Sequence, residues 1–385
     1  MSDPAVLIVM PLAELRGGAE TALLQLIEKG RSIRWHVAFL EDGPMVEQAR
    51  RAGAQVSVIP AGRARQLHKY AAAVLTLSRL AKRIQARAML AWMAKAHLYC
   101  GPAARLAGVP AVWFQHGMPT DHGIFHILAA RIRAAGSLAC SEFVAGAQRK
   151  MMPKVPVRVV YPAADLERFD PDALPSPPAC RQELGLGGDG PLIGTFGRLQ
   201  TFKGVHVLID AMPQIISRYP SGRLLIVGGT WPLEPDYPLR LRRQIEGLGL
   251  SGKVIFAGHQ DQVAQWMQAC DIVVHAAHEE PFGMVVVEAM ALGKPVVASA
   301  SGGPREIITT GVDGLLVPPG NTGELAAAVL RFLDDRALAA RIASAAVQRA
   351  RHFSVQRYAD SLCAALCDWM SPVADSRGLA QVHAP

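Results

Sequence analysis

The chain has 385 residues, half of them hydrophobic and 19% charged, a composition that excludes intrinsic disorder and a length beyond one ordinary core. Its charge is one-sided: residues 1–170 carry 22 Lys/Arg against 12 Asp/Glu, the remainder 18 against 20, and residues 50–120 hold eleven basic side chains and no acidic one. Six scattered cysteines without a Cys-x-x-Cys pair, an apolar start lacking a basic leader, and no apolar run of the ~18 residues a spanning helix needs predict a reduced cytoplasmic protein.

Short β-type runs alternate with helical patterns along the chain. Residues 6–10, 36–40, 56–59, 89–93, 112–115, 138–140 and 158–160 read as strands, with helical sequence between them. Such alternation predicts a parallel sheet covered by helices on both faces. Between the third and fourth strands, a helix predicted over 65–87 places Leu77, Leu80, Ile84 and Ala88 on one stripe. Arg79, Lys82, Arg83 and Arg87 fall on another, a basic face able to meet lipid headgroups. The alternation stops at Tyr161-Pro162, where a Pro- and Asp-rich stretch predicts a linker. It restarts at 192–196 and runs through 224–227, 254–256, 272–275, 296–298 and 315–317. Helical sequence fills 324–334, 336–351 and 355–370. Cys363 and Cys367, four apart in this last helix, read as two small buried side chains. The expectation is an α/β fold of two doubly wound, Rossmann-like domains facing each other across a cleft. They span 1–165 and 191–352, with a linker at 166–190. A helix at 353–370 crosses back to the first domain, and 371–385 form a flexible tail.

Three motifs are set aside. Gly185-Leu186-Gly187-Gly188-Asp189-Gly190 fits G-x-G-x-x-G, but it ends a helix and precedes a strand, the reverse of a dinucleotide fingerprint. Asp170-Pro171-Asp172 fits a metal-binding Asp-x-Asp, yet it lies in the linker and suits a turn. His116, His122 and His126 on one loop are a weak metal signal.

Three strand-to-helix turns in the second half suit a nucleotide diphosphate. Arg198 and Lys203 bracket the loop after 192–196, and both could neutralise a diphosphate. Glu279-Glu280-Pro281-Phe282-Gly283-Met284 leads into a helix whose N-terminus offers free N–H groups to phosphate or sugar oxygens. Glu288 lies inside that apolar helix, where a carboxylate is costly unless hydrogen-bonded or paired. Sugar hydroxyls, a buried arginine or backbone amides would each satisfy it. Ser301-Gly302-Gly303-Pro304-Arg305-Glu306 lets the backbone come close at a further helix start. In the first half, Arg16-Gly17-Gly18-Ala19-Glu20 is a glycine loop after the first strand.

Together these motifs resemble the retaining glycosyltransferases of family 4, which have the GT-B fold. Glu280 and Glu288 stand as that family's Glu-x7-Glu motif. Gly197-Arg198 with Lys203-Gly204 is similar to its diphosphate loop, and Gly17-Gly18 to its N-terminal glycine loop. Val160-Tyr161-Pro162 resembles the strand that leads into its linker. The resemblance implies that the first domain holds the acceptor and the second the nucleotide-sugar donor. It implies that Arg198 and Lys203 bind the diphosphate and Glu288 the ribose. It gives Glu280, with the backbone of Phe282, Gly283 and Met284, the donor sugar, and it brings His116 near the reacting centre. One departure is visible: His275-Ala276-Ala277-His278 replaces the usual Pro-Ser segment.

The reaction so implied is metal-independent hexosyl transfer with retention, with no cofactor beyond a UDP- or GDP-linked sugar as co-substrate. The acceptor would be a saccharide or lipid-linked saccharide in polysaccharide or glycolipid synthesis. Glu280 as a nucleophile, on the glycosidase pattern, ranks below sugar binding. The alternatives are a sugar-nucleotide epimerase, a phosphorylase and a non-catalytic nucleotide-sugar-binding scaffold. The basic half predicts an anionic membrane surface as a peripheral partner. With no helix-turn-helix, zinc or aromatic-basic motif, nucleic acid ranks last.

Overall fold

The computed structural model describes residues 3–15, 17–62, 66–119 and 123–370. The expectations for Arg16, Arg65, His122 and the tail at 371–385 concern residues outside those described. The chain divides into two compact units. The first comprises residues 1–140, 144–160 and 359–385; the second comprises 141–143 and 161–358. The 166–190 stretch groups with the second unit and carries a short helix of its own.

The first unit runs β1 (Ala5–Met10), α1 (Gly18–Lys29), β2 (Arg34–Phe39), α2 (Pro44–Arg51), β3 (Gln55–Val58) and α3 (Leu67–Arg83). It continues with β4 (Ala86–Trp92), α4 (Ala94–Ala107), β5 (Ala111–Gln115), α5 (Ile124–Ala130), β6 (Gly136–Ala139), α6 (Glu142–Met151) and β7 (Val157–Val159). Its strands form one parallel sheet in the order β3-β2-β1-β4-β5-β6-β7. All six residues of β1 are buried, as a central strand covered on both faces requires.

The second unit runs α7 (Pro177–Glu183), β8 (Leu192–Phe196), α8 (Val205–Arg218), β9 (Arg223–Val227), α9 (Tyr237–Gly247), β10 (Val254–Gly258) and α10 (Val263–Gln268). Then follow β11 (Ile272–His275), α11 (Met284–Ala291), β12 (Val296–Ser299), α12 (Pro304–Ile307), β13 (Leu315–Val317), α13 (Thr322–Asp334) and α14 (Arg336–Ala350), after which α15 (Val355–Met370) begins in this unit and continues in the first. The sheet order is β10-β9-β8-β11-β12-β13, again parallel. Its core packs Leu208, Met212 and Ile215 of α8 with Val329 and Phe332 of α13 under the strands. Both units are thus doubly wound, as the alternation predicts.

One predicted element is corrected. The helix expected over 65–87 ends at Arg83, Gln85 adopts a left-handed φ of 54°, and β4 begins at Ala86. Arg87 and Ala88 are therefore strand residues. The Ala- and Arg-rich run favours a helix locally, but pairing with β1, Ala88 opposite Val6, decides otherwise. The period-two pattern of buried Ala86, exposed Arg87 and buried Ala88 was the contrary signal. The six cysteines form no disulfide, and of the pair on α15 only Cys363 is buried, Cys367 being exposed. No helix among the described residues is long and apolar enough to cross a membrane.

The end of α15, from Ala359 onward, belongs to the first unit. Asp368 pairs with Arg158 of β7 at 2.5 Å, and that guanidinium lies 5.2 Å over the Trp369 ring. A Cβ on Gly136 would sit 2.2 Å from the same ring, so only glycine lets the indole reach β6. Gly136→Ala should cost about 1–3 kcal/mol and lower the melting temperature by several degrees. In a Trp369→Leu background the added methyl should cost little further; fully additive penalties would contradict this packing.

Candidate functional site

Open parallel sheets bind ligands beyond the strand carboxyl ends where the strand order reverses. In the second unit that point lies between β8 and β11, and the loops following those strands carry Arg198, Lys203 and Glu280. The first loop is pinned from several sides. Leu199 N–H donates to the Gly229 carbonyl at 2.9 Å. Thr201 donates its N–H and hydroxyl to Glu234 at 2.9 and 2.5 Å. The Arg198 guanidinium stacks 4.4 Å over the Trp231 ring. Gly204 ends the loop at φ 70°, where a Cβ would lie 1.9 Å from the Ala276 carbonyl oxygen, and His278 N–H reaches the Phe202 carbonyl at 2.8 Å. The loops after β8 and β11 therefore fold against each other, and Gly204 permits the approach.

Glu280 is the centre of this arrangement. It is 7% exposed, and a single oxygen, Oε2, accepts from Lys203 Nζ at 2.5 Å and from His275 Nε2 at 2.9 Å. Burial alone would raise its pKa. The Lys203 charge and the His275 contact outweigh burial and hold the carboxyl well below the usual range. The third turn closes over it: Gly303 N–H donates to the Glu280 carbonyl at 2.9 Å. A Cβ on Gly302 or Gly303 would fall 2.0 Å from the Glu280 carbonyl oxygen or 2.2 Å from that of Phe282. Glu306 at the end of this turn accepts from the backbone of Glu142 and Phe143 at 2.7 and 2.8 Å and from the Tyr161 hydroxyl at 3.0 Å. Ser141 donates to the Pro281 carbonyl at 2.6 Å. Phe282 is buried against Tyr161 and Phe353. Gly283, at φ 104°, starts α11 with no side-chain cap, so the N–H groups of Met284 and Val285 lack intrahelical acceptors.

Glu288 lies one helical stretch further on. It is partly exposed yet hemmed in by apolar neighbours, and burial pushes its pKa up to about 7, opposed only by the charge of Arg168. Its carboxylate has no hydrogen bond or ion pair among the described residues. The carboxylate is partly open to solvent and available to a further partner.

In the first unit the strand order reverses between β1 and β4. Gly17, extended at φ 174°, opens α1 without a side-chain cap, and Trp92 Nε1 donates to the Ala19 carbonyl at 2.9 Å, just past Gly18. Met93 follows at φ 76°, a conformation rare for a side chain with a Cβ. The His116 ring packs 4.7 Å from Trp92 and 4.0 Å from Phe114, and its buried Nε2 has no hydrogen bond. Burial lowers its pKa to about 3, so it is neutral at ordinary pH. His126 lies instead beside Gln115, at 3.4 Å. Asp170 accepts from the Asp172 N–H at 3.0 Å, as in a turn.

Sequence reasoning noted His275 only as a departure from the family pattern and Glu306 only as part of a turn, and passed over Arg168 and Trp231. For His275 a signal existed: an ionisable residue ends the otherwise apolar strand Ile272-Val273-Val274, five positions before Glu280. Arg168 and Trp231 reach the site from distant loops and leave no local mark.

Residues 16–168 match the family described as Glycosyltransferase Family 4, and residues 178–349 match Glycosyl transferases group 1. HepE of Anabaena, solved in complex with UDP-glucose, is 30% identical, with a TM-score of 0.82, over 94% of this chain and 99% of that one. The chain belongs to the family 4 glycosyltransferases. Its two doubly wound units are those of the GT-B fold. The D-inositol 3-phosphate glycosyltransferase of Frankia alni is 35% identical over 224 residues, 57% of this chain and 54% of that protein. The chain spans about half the length of the curated relatives it matches. Sucrose-phosphate synthase of Thermosynechococcus elongatus, 21% identical with a TM-score of 0.80 over 95% of this chain and 98% of that one, shares the fold.

Glu288 gives a prediction with a definite sign. Its folded pKa of about 7 stands above the ordinary carboxyl value of 4.5. Its ionisation therefore costs stability from about pH 4.5 upward, and the loss is complete above about pH 7. Glu288→Gln should melt close to the wild type near pH 4.5, and should be more stable by roughly 1–3 kcal/mol at about pH 8. Equal effects at both pH values would contradict a raised carboxyl.

Proposed function

We propose that this protein is a hexosyltransferase that moves a sugar from uridine diphosphate to an acceptor hydroxyl with retention of configuration and without a metal ion. The observation that carries this reading is the part-buried Lys203–Glu280 pair at the strand-order reversal, beside Arg198. It offers cations where a diphosphate would leave and a carboxylate where sugar hydroxyls would bind. Uridine is taken from HepE, which was solved with UDP-glucose.

In this reaction the bond from the sugar C1 to the diphosphate oxygen breaks ahead of attack. Arg198, Lys203 and the first N–H groups of α11 stabilise the departing charge. The acceptor hydroxyl attacks from the same face, and its proton passes to a phosphate oxygen of the leaving group. Glu280 binds the sugar and does not attack, because a carboxylate held by two donors, with its basicity lowered, is a poor nucleophile. Glu288 accepts from the ribose hydroxyls. His116, neutral, is a hydrogen-bond partner of the donor sugar, and Gly17-Gly18 admit the donor close to the backbone.

The acceptor in this reading is a saccharide, lipid-linked or free, at an anionic membrane surface. Support comes from α3, α4 and α5, which bear no acidic residue. They expose Leu67, Ile124 and Phe125 at 76, 64 and 46%, and α3 also exposes the basic Lys69, Arg79 and Lys82. Binding to vesicles containing phosphatidylglycerol should weaken as salt rises; salt-insensitive binding, or none, would contradict a peripheral role.

The donor reading is tested by thermal shift. UDP at about 100 times its dissociation constant should add roughly 2.7 kcal/mol, a shift of several degrees, with or without chelator. GDP should give less, and Lys203→Ala should abolish the shift. A shift that requires a divalent ion, or survives Lys203→Ala, would contradict the assignment.

A further inference from the structure

Lys203 and His275 both bind Oε2 of Glu280, but the two donors differ in kind. Lys203 is a flexible side chain on a loop, and in the donor reading its ammonium turns to the diphosphate when the donor arrives. His275 is fixed. It ends β11, pairs with Ala298 of β12 and is 4% exposed. An imidazole so deeply buried needs a hydrogen-bond partner, and at Nε2 that partner is Glu280. The acceptor being a carboxylate, Nε2 carries the proton of this bond. Arg198, Lys203 and His275 also line one small hollow with Thr195, Phe196 and Gly197, so the histidine stands directly behind the cationic loop.

We propose that His275 is a positioning residue for the transfer. Its Nε2–H holds Oε2 of Glu280 after Lys203 has turned to the diphosphate, so that Oε1 stays aimed at the donor sugar. Without it, a bound donor would leave Glu280 buried with neither of its donors. The carboxylate would then keep its grip on Lys203, take up a proton or rotate, each of which costs sugar binding. His275 acts through Glu280 and touches no reacting atom. The inference rests on the second-unit site being the donor site.

The test compares His275→Gln with His275→Asn in the full chain. The glutamine amide N–H falls where Nε2 stood, whereas the asparagine N–H falls nearer Nδ1. Both are uncharged, polar and similar in bulk, so a merely space-filling role would treat them alike. The readouts are UDP release from UDP-glucose, with water as acceptor, and calorimetric affinities for UDP and UDP-glucose. His275→Asn should lower kcat by about tenfold or more and should remove the affinity difference between UDP-glucose and UDP. Its affinity for UDP itself should stay within about twofold of wild type. His275→Gln should recover kcat to within about threefold. Equal kcat for the two variants overturns the proposal. So does a parallel loss of UDP and UDP-glucose affinity in His275→Asn, which would make His275 a scaffold for the whole loop. A wild type that binds no UDP and releases none from UDP-glucose overturns the donor-site reading itself.

Discussion

A buried carboxylate is the constraint around which the second unit is arranged. Glu280 sits out of water, and burial by itself would raise its pKa. It stays ionised because Lys203 and His275 converge on one of its oxygens. Those two groups come from the loop after β8 and the end of β11, so the site exists only while both are locked together. The close approaches at Gly204, Gly302 and Gly303 perform that locking. A methyl group at any of them would push one turn off another and loosen the ion pair.

Glu280 and Glu288 lie eight positions apart and have opposite electrostatics. Glu280 is held charged by its partners, and Glu288, beside apolar neighbours and with only Arg168 to offset burial, sits near neutrality at about pH 7. Pairs of carboxylates whose environments drive their pKa values apart serve separate tasks. One is prepared for its ligand in advance. The other has no protein hydrogen bond among the described residues, and holding it charged against its apolar surroundings costs stability. The gain from Glu288→Gln at high pH is the measurable side of that trade.

Much of the fold could be read from the chain because parallel strands buried on both faces leave continuous apolar runs, as in Ala5–Met10 and Leu192–Phe196. The reading failed where local propensity and tertiary pairing disagreed. The Ala- and Arg-rich run after Arg83 reads as helix and folds as β4, and Cys367 reads as core and faces solvent. Of the site, Arg198, Lys203 and Glu280 were legible as chemistry at strand ends, and the structure brings them together. The resemblance to family 4 had a firm footing there, because the motif residues lie in local turns. His275 was hidden within a strand pattern, and Arg168 and Trp231 arrive from loops far along the chain. Exposure of Leu67, Ile124 and Phe125 likewise depends on which helix faces are covered, which periodicity alone does not settle.

The central claim is that Lys203 exchanges Glu280 for a diphosphate while Glu280 remains on His275. A crystal structure of the complex with UDP measures this directly. The expected complex has Lys203 Nζ about 3 Å from a diphosphate oxygen, Glu280 still within about 3 Å of His275 Nε2, and Glu288 bonded to the ribose. UDP bound elsewhere, or Lys203 still paired with Glu280 while the diphosphate is held by other groups, would contradict it.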